Sequence, residues 1–308
     1  MKIFHGIQSI KKINKKTAIA MGVFDGLHLG HRKVIKNLTS YAHEMGFKSL
    51  VITFEPHPEK IWKKKPIHYI NSLKQRLDLI SEMGIDYCLV INFSHSFSLL
   101  KAEEFVLKVL KNRLNLGAMV VSEDYRFGYL AKGNSQLLSK LSTSFNFKLK
   151  IIKPLKISGQ IVNSTHVRKL LSQKKLSQAT KLLTREYFIE GNVIKGTQIG
   201  RKIGFPTVNI SESENILIPE GVYVVKVQVK NKQYPAVANI GFKPTVNHEL
   251  KKRHIELHLL NFKGDFKYKK VQVYFVKWLR DEHNFKSISD LQKAIAADVV
   301  VSKRLLRM

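Results

Sequence analysis

Cysteine is nearly absent: Cys88 is the only one in 308 residues. A single thiol excludes an internal disulfide and leaves no thiolate cluster for structural zinc. Long apolar runs are also missing, since no stretch approaches the ~18 residues that a membrane-spanning helix needs. The opening residues "MKIFHGIQSIKKINKK" carry no signal-peptide apolar core, so the expected location is the cytoplasm, with no membrane partner. Internal repeats and low-complexity linkers are not seen either. What is present is a 44% hydrophobic share, enough for a packed core, in a chain whose length suits two domains of ordinary size.

Acidic residues are scarce, with 23 Asp and Glu against 53 Lys and Arg, a net charge of +30. Such an excess raises the possibility of a nucleic-acid binder with an inherited enzyme fold. Eleven of the basic residues are Arg and the other 42 are Lys, spread along the whole chain. Readers of bases and phosphates favour the Arg fork. Diffuse lysine is therefore read as a compositional trait, and a nucleic-acid partner is not expected.

The first half alternates β-rich runs with helix-length segments: "TAIAMG" (17–22), "SLVITF" (49–54), "DYCLVI" (86–91) and "GAMVVS" (117–122). This texture predicts a Rossmann-like parallel sheet, which binds ligands at the carboxyl ends of its strands. From about Tyr187 the helices vanish. The runs "YFIEGNVI", "GVYVVKVQV", "YPAVANIG", "HIELHLL" and "VQVYFVKWL" predict an antiparallel β-barrel. Ile288, Leu291, Ile295 and Val299 then recur at helical spacing, predicting an amphipathic C-terminal helix. The expected domains are 1–184 and 185–308.

"GVFDGLHLGH" (22–31) follows what the pattern marks as the first strand. Gly22, Gly26 and Gly30 let the backbone bend and approach a ligand, and the amides opening the next helix attract anions. His28 and His31, at i and i+3, could donate to one phosphate group, supply half of a metal site, or simply lie on the surface beside a glycine turn. In the second half, Gly200 and Gly204 of "GTQIGRKIGFPTVN" (196–209) would let a loop fold over phosphates. Thr207 and Asn209, two apart on a strand, could offer oxygens to Mg²⁺. The alternative there is a glycine hairpin with a structural proline.

The first segment resembles the H-x-G-H signature of the α/β nucleotidyltransferases. End to end the chain resembles the bifunctional prokaryotic riboflavin kinase/FAD synthetases, through "TFEPHP" (53–58), "EDYRFG" (123–128), "STHVRKLL" (164–171), the 196–209 loop, "ANIGFKPT" (238–245), "HIELHLLNF" (254–262) and "WLRDEHNF" (278–285). The resemblance implies a nucleotidyltransferase-like domain followed by a riboflavin kinase barrel. The implied activity is ATP-dependent conversion of riboflavin to FMN and of FMN to FAD, with Mg²⁺ as cofactor, ATP as co-substrate and no obligate protein partner. It assigns His28, His31 and Arg168 to adenylyl transfer, and Gly22, Phe24, Asp25, Gly30, Ser164, Thr165, Gly200 and Gly204 to nucleotides. Phe54, Asp124, Phe127 and Arg280 would meet the flavin, Thr207 and Asn209 the metal, and Glu256 would be the kinase base.

Read without the resemblance, Phe54 and Phe127 are core aromatics, Glu256 is an outward residue of a barrel strand, and Arg280 pairs with Asp281 or Glu282. The chain departs from the family pattern at Ser122, Ala131 and Asn163. Those departures motivate a rival reading, a riboflavin kinase whose adenylyltransferase domain has decayed.

Overall fold

Ala18 to Met21 are buried on both sides because their strand lies inside a parallel sheet. The computed structural model describes residues 1–63, 67–196, 199–211, 217–242, 253–262 and 266–307. Within it the chain forms two compact units, Met1–His166 and Val167–Met308. That division precedes the expected 184/185 boundary, because helix Leu176–Leu183 packs on strands of the second unit.

The first unit is built on β1 (Lys2–His5), β2 (Thr17–Met21), β3 (Lys48–Glu55), β4 (Tyr87–Asn92), β5 (Leu116–Ser122) and β6 (Lys148–Ile152). Their order is β1-β4-β3-β2-β5-β6, every pair parallel. From β2 the chain winds outward through β3 and β4, then crosses back to place β5 on the other flank of β2. The carboxyl ends of β2 and β5 thus form the switch point where such sheets open a ligand crevice. Side chains alternate across the sheet: Ile19, Met21, Leu50, Ile52 and Leu89 pack on one face, and Ala18, Ala20, Val51, Cys88 and Ala118 on the other. The small Ala18, Ala20 and Ala118 admit helix α1 (Leu29–Glu44), which seats Ile35 and Leu38 against the sheet. A short hairpin, β7 (Lys156–Ile157) and β8 (Gln160–Ile161), follows β6.

Two strands of this sheet lack the apolar run used to locate the others. β1 is mostly exposed at one edge, and β6 alternates lysines with apolar residues at the other. The strand before "GVFDGLHLGH" is therefore the second in the chain.

The second unit contains a closed barrel of β9 (Tyr187–Ile194), β10 (Val208–Ile210), β11 (Gly221–Val229), β12 (Lys232–Phe242), β13 (Arg253–Leu259) and β14 (Lys270–Arg280), in the order β10-β13-β12-β11-β14-β9. Ile255, Leu257, Val273 and Phe275 fill its interior, so His254, Glu256 and His258 stand on the outer face of β13 by strict alternation. Helix Ile288–Leu305 forms as expected, but its most buried side chains are Asp298 and Ser302, while Ile288 is 66% exposed.

Candidate functional site

Between β2 and α1 the backbone takes left-handed turns at Phe24 (φ 54°), Gly26 (φ 82°) and Leu27 (φ 41°), with Phe24 and Leu27 anchored in the core. Asp25 locks this loop from two sides. Its carboxylate accepts from the amides of Ile70 (2.9 Å) and Asn71 (3.1 Å), and its carbonyl accepts from Ser164 Oγ at 2.8 Å. Expected against the nucleotide, the Asp25 side chain instead points into the protein and shapes the loop.

His28 is the N-cap of α1: its Nδ1 accepts from the His31 amide at 3.3 Å. The two rings stack with centroids 3.7 Å apart, and Phe24 meets His31 edge-on at 5.2 Å. Gly30 is fixed by close approach, since a Cβ there would lie 3.1 Å from the Val162 carbonyl oxygen and 3.2 Å from the His28 ring. Both histidines therefore sit with the positive end of a 16-residue helix at the switch point. The amides that open this helix, beside the two rings, suit an anion.

Helix Ser164–Ser172 is capped by Asn163, whose Oδ1 accepts from the His166 amide at 2.8 Å. Capping by Asn163 leaves the Ser164 hydroxyl available to tether the loop at Asp25. Thr165 is exposed, and Arg168 follows one turn later, within the second compact unit.

Beside Gly22, a cavity of about 340 Å³ is walled by Phe54, Trp62, Phe93, Phe97, Tyr125 and Phe127. Phe54 meets Phe93 edge-on at 5.7 Å, and Tyr125 stacks on Phe127 at 5.7 Å. Phe54 and Phe127 are 8% and 7% exposed, so each belongs to the core and also presents a face to the cavity. Ala131 lines it too. Asp124 is exposed in the turn after β5 and is not part of this wall.

Arg76 is the contribution that motif reading missed. Fully buried, it donates to the Val23 carbonyl (2.9 Å), Thr53 Oγ1 (3.3 Å) and the Phe54 carbonyl (3.4 Å), and pairs with Glu55. It thereby ties the loops leaving β2 and β3, on which the cavity depends. Tyr69 donates to Glu55 at 3.1 Å; burial first, then the Glu55 charge, pushes its phenol up to about 12, so it stays a protonated donor. The available signal was Arg76 itself, which falls on the apolar stripe Leu73, Leu77, Ile80 of its helix.

In the second unit a cavity of about 520 Å³ is lined by Gly200, Thr207, Asn239, Glu256, Arg280 and Glu282, with Leu291 and Ile295 of the last helix. Here residues from five separate stretches of sequence meet. Gly200 must lack a side chain because a Cβ would lie 2.4 Å from the Phe205 carbonyl oxygen, and Gly204 turns left-handed at φ 86°. His258 Nδ1 holds the Pro206 carbonyl at 2.9 Å, fixing the segment that ends at Thr207.

Asn209 on β10 and Asn239 on β12 both lie directly opposite Glu256 in register. The three form one lateral row on the outer barrel face. The Oδ1 atoms of Asn209 and Asn239 are buried with no hydrogen-bond partner among the described residues. Arg280 makes its ion pair with Asp298 of the last helix, with N–O distances of 2.9 to 3.2 Å, rather than with the carboxylates of Asp281 or Glu282. That pair explains why Asp298 is buried on an otherwise amphipathic helix. Residues 197–198 of the loop and 243–245 of "ANIGFKPT" lie outside the described residues.

Residues 10–166 match the family described as FAD synthetase, and residues 183–306 the family described as riboflavin kinase. A protein of Buchnera aphidicola subsp. Schizaphis graminum, named bifunctional riboflavin kinase/FMN adenylyltransferase, is 37% identical over 311 residues, covering 100% of both chains. Its namesake in Escherichia coli K12 is 32% identical, covering 98% of this chain and 97% of its own. A crystal structure described as a macrolide-efflux protein from Streptococcus pneumoniae superimposes with a TM-score of 0.89 at 25% identity, over 98% of this chain and 99% of that one. No described helix of the present chain is long and apolar enough to cross a membrane.

Proposed function

The chain belongs to the bifunctional riboflavin kinase/FMN adenylyltransferase family, and from that premise we propose that it makes FMN from riboflavin in its barrel and FAD from FMN in its parallel-sheet unit. The observation that carries the reading is the convergence of Gly200, Thr207, Glu256 and Arg280 on one cavity, separate from the histidine pair at the switch point of the sheet.

For the kinase step, Glu256 takes the proton of the riboflavin 5′-hydroxyl as that oxygen bonds to the γ-phosphorus of ATP. The bond from phosphorus to the β,γ-bridging oxygen breaks, and ADP leaves with the electron pair. The Gly200–Gly204 loop approaches the nucleotide, and the cavity beside Arg280 takes the flavin. Thr207 and Asn209 would hold Mg²⁺; the buried Oδ1 of Asn209, without a hydrogen-bond partner among the described residues, fits a hard cation. Bound there, the ion supplies neutralisation of phosphate charge.

For the adenylyl step, a phosphate oxygen of FMN attacks the α-phosphorus of a second ATP, and pyrophosphate departs. His28 and His31 donate to charge that builds on the phosphate oxygens, aided by the amides opening α1. Thr165 and Arg168 clamp the leaving phosphates, with Ser164 and Asp25 shaping the loop. The aromatic cavity of Phe54 and Phe127 takes the flavin, with Gly22, Phe24 and Gly30 forming the nucleotide turn and Asp124 at its approach. Two of the departures are compatible with this reading: Asn163 caps its helix, and Ala131 lines the aromatic cavity.

In this reading the adenylyltransferase domain is 1–184, the kinase domain 185–308, and the location is the cytoplasm. Incubation with riboflavin and Mg-ATP, with flavins resolved chromatographically, tests it. FMN plus FAD is expected, and FMN alone would favour a decayed adenylyltransferase.

A further inference from the structure

Glu256 stands at the centre of a cross on the outer barrel face. Asn209 and Asn239 flank it sideways across the strands, and His254 and His258 flank it along β13. The two histidines are used differently. His258 is turned to the Pro206 carbonyl and the Phe205 ring, whereas His254 Nε2 lies 3.0 Å from Glu256 Oε1.

From this geometry we propose that His254 is a positioning residue for the kinase reaction, a deepening that rests on reading Glu256 as the base. Its Nε2–H holds Oε1 of the carboxylate that receives the riboflavin hydroxyl proton. The terminal torsion of a carboxylate is broad, and a contact to one of its oxygens narrows the range over which it turns. Both side chains are partly solvated, 15% and 30% exposed, so the contact adds little to folding. Ile255 and Leu257, buried in the barrel on either side of Glu256, hold the strand itself, so backbone placement does not depend on the imidazole. No proton passes to His254: the hydroxyl proton ends on Glu256 and ADP leaves with the bridging oxygen.

The test compares H254L, H254Q and E256Q in the full chain, measuring riboflavin phosphorylation. H254L is expected to lose about tenfold in kcat, a fraction of what a general base contributes, with KM for ATP and riboflavin little changed. H254Q, whose amide N–H can replace Nε2–H, is expected to recover most of that loss, and E256Q to lose activity altogether. Unchanged kcat in H254L, or equal losses in H254L and H254Q, overturns the positioning role. If E256Q keeps full activity, the base assignment fails instead. The contact is then judged alone from the ¹⁵N shifts of the His254 ring: an Nε2-protonated ring whose shifts move in E256Q supports pairing, and unmoved shifts contradict it.

Discussion

The His31 amide donates to Nδ1 of His28 at 3.3 Å, and the two imidazoles lie stacked with centroids 3.7 Å apart. With Nδ1 occupied as an acceptor, the neutral His28 ring carries its proton on Nε2, the atom then able to donate to a phosphate oxygen. One side chain thus caps α1 and orients its own donor. The capping role and the chemical role are separable by mutation.

His28→Asn supplies another good N-cap while removing the ring. Its folding stability is expected to stay within about 0.5 kcal/mol of the parent. FAD formation from FMN is expected to fall by about 100-fold or more, the scale of losing a donor to developing charge. Chemical denaturation and an adenylylation assay check the two halves. Retained FAD synthesis would show that the helix cap alone is what the position requires.

Arg76→Met removes the donors that Val23, Thr53 and Phe54 use at the ends of β2 and β3. Unfolding free energy is expected to drop by about 1–3 kcal/mol, because buried acceptors are left unsatisfied. In protein that remains folded, KM for FMN should rise in the adenylyl assay while riboflavin phosphorylation is unaffected. A change in neither stability nor KM would contradict its place under the aromatic cavity.

Asp86 gives a pH dependence. Burial alone would raise its carboxyl, but hydrogen bonds from Lys48 and from the Ser49 amide and hydroxyl outweigh it and hold the group below the usual carboxylate range. A depressed folded value contributes stability above the unfolded value and loses it as pH falls through the folded one. Asp86→Asn should therefore destabilise at pH 7, by up to about 1 kcal/mol after solvent screening. The difference from the parent should shrink as pH is lowered in matched denaturation curves. A constant difference would remove the carboxylate from the account.

Strands with buried apolar runs were readable in the sequence. β2 to β5 fall where "TAIAMG", "SLVITF", "DYCLVI" and "GAMVVS" predict them, and β9 and β11 to β14 of the barrel follow their period-two runs, whereas the three-residue β10 had no such run to mark it. β1 and β6 were not readable, because sheet edges need apolar residues on only part of their surface. Spacing identified the His28–His31 pair but could not show that His28 caps the helix. Nor could it show that the Asp25 carboxylate turns to Ile70 and Asn71, a contact 45 residues away in the chain. Arg280 had two acidic neighbours in sequence, yet folding gives its ion pair to Asp298, on a helix that arrives later. Charged pairing across distant elements leaves no periodic trace, so these partners emerged only from the fold.

The central claim, two chemistries in two separate sites, is tested most directly by one chromatogram series. His28→Ala and Glu256→Ala are each supplied with Mg-ATP and either riboflavin or FMN. His28→Ala should make FMN from riboflavin at the parent rate and no FAD from either flavin. Glu256→Ala should make no FMN from riboflavin yet convert supplied FMN to FAD. Parallel loss of both activities in either folded variant would contradict the account.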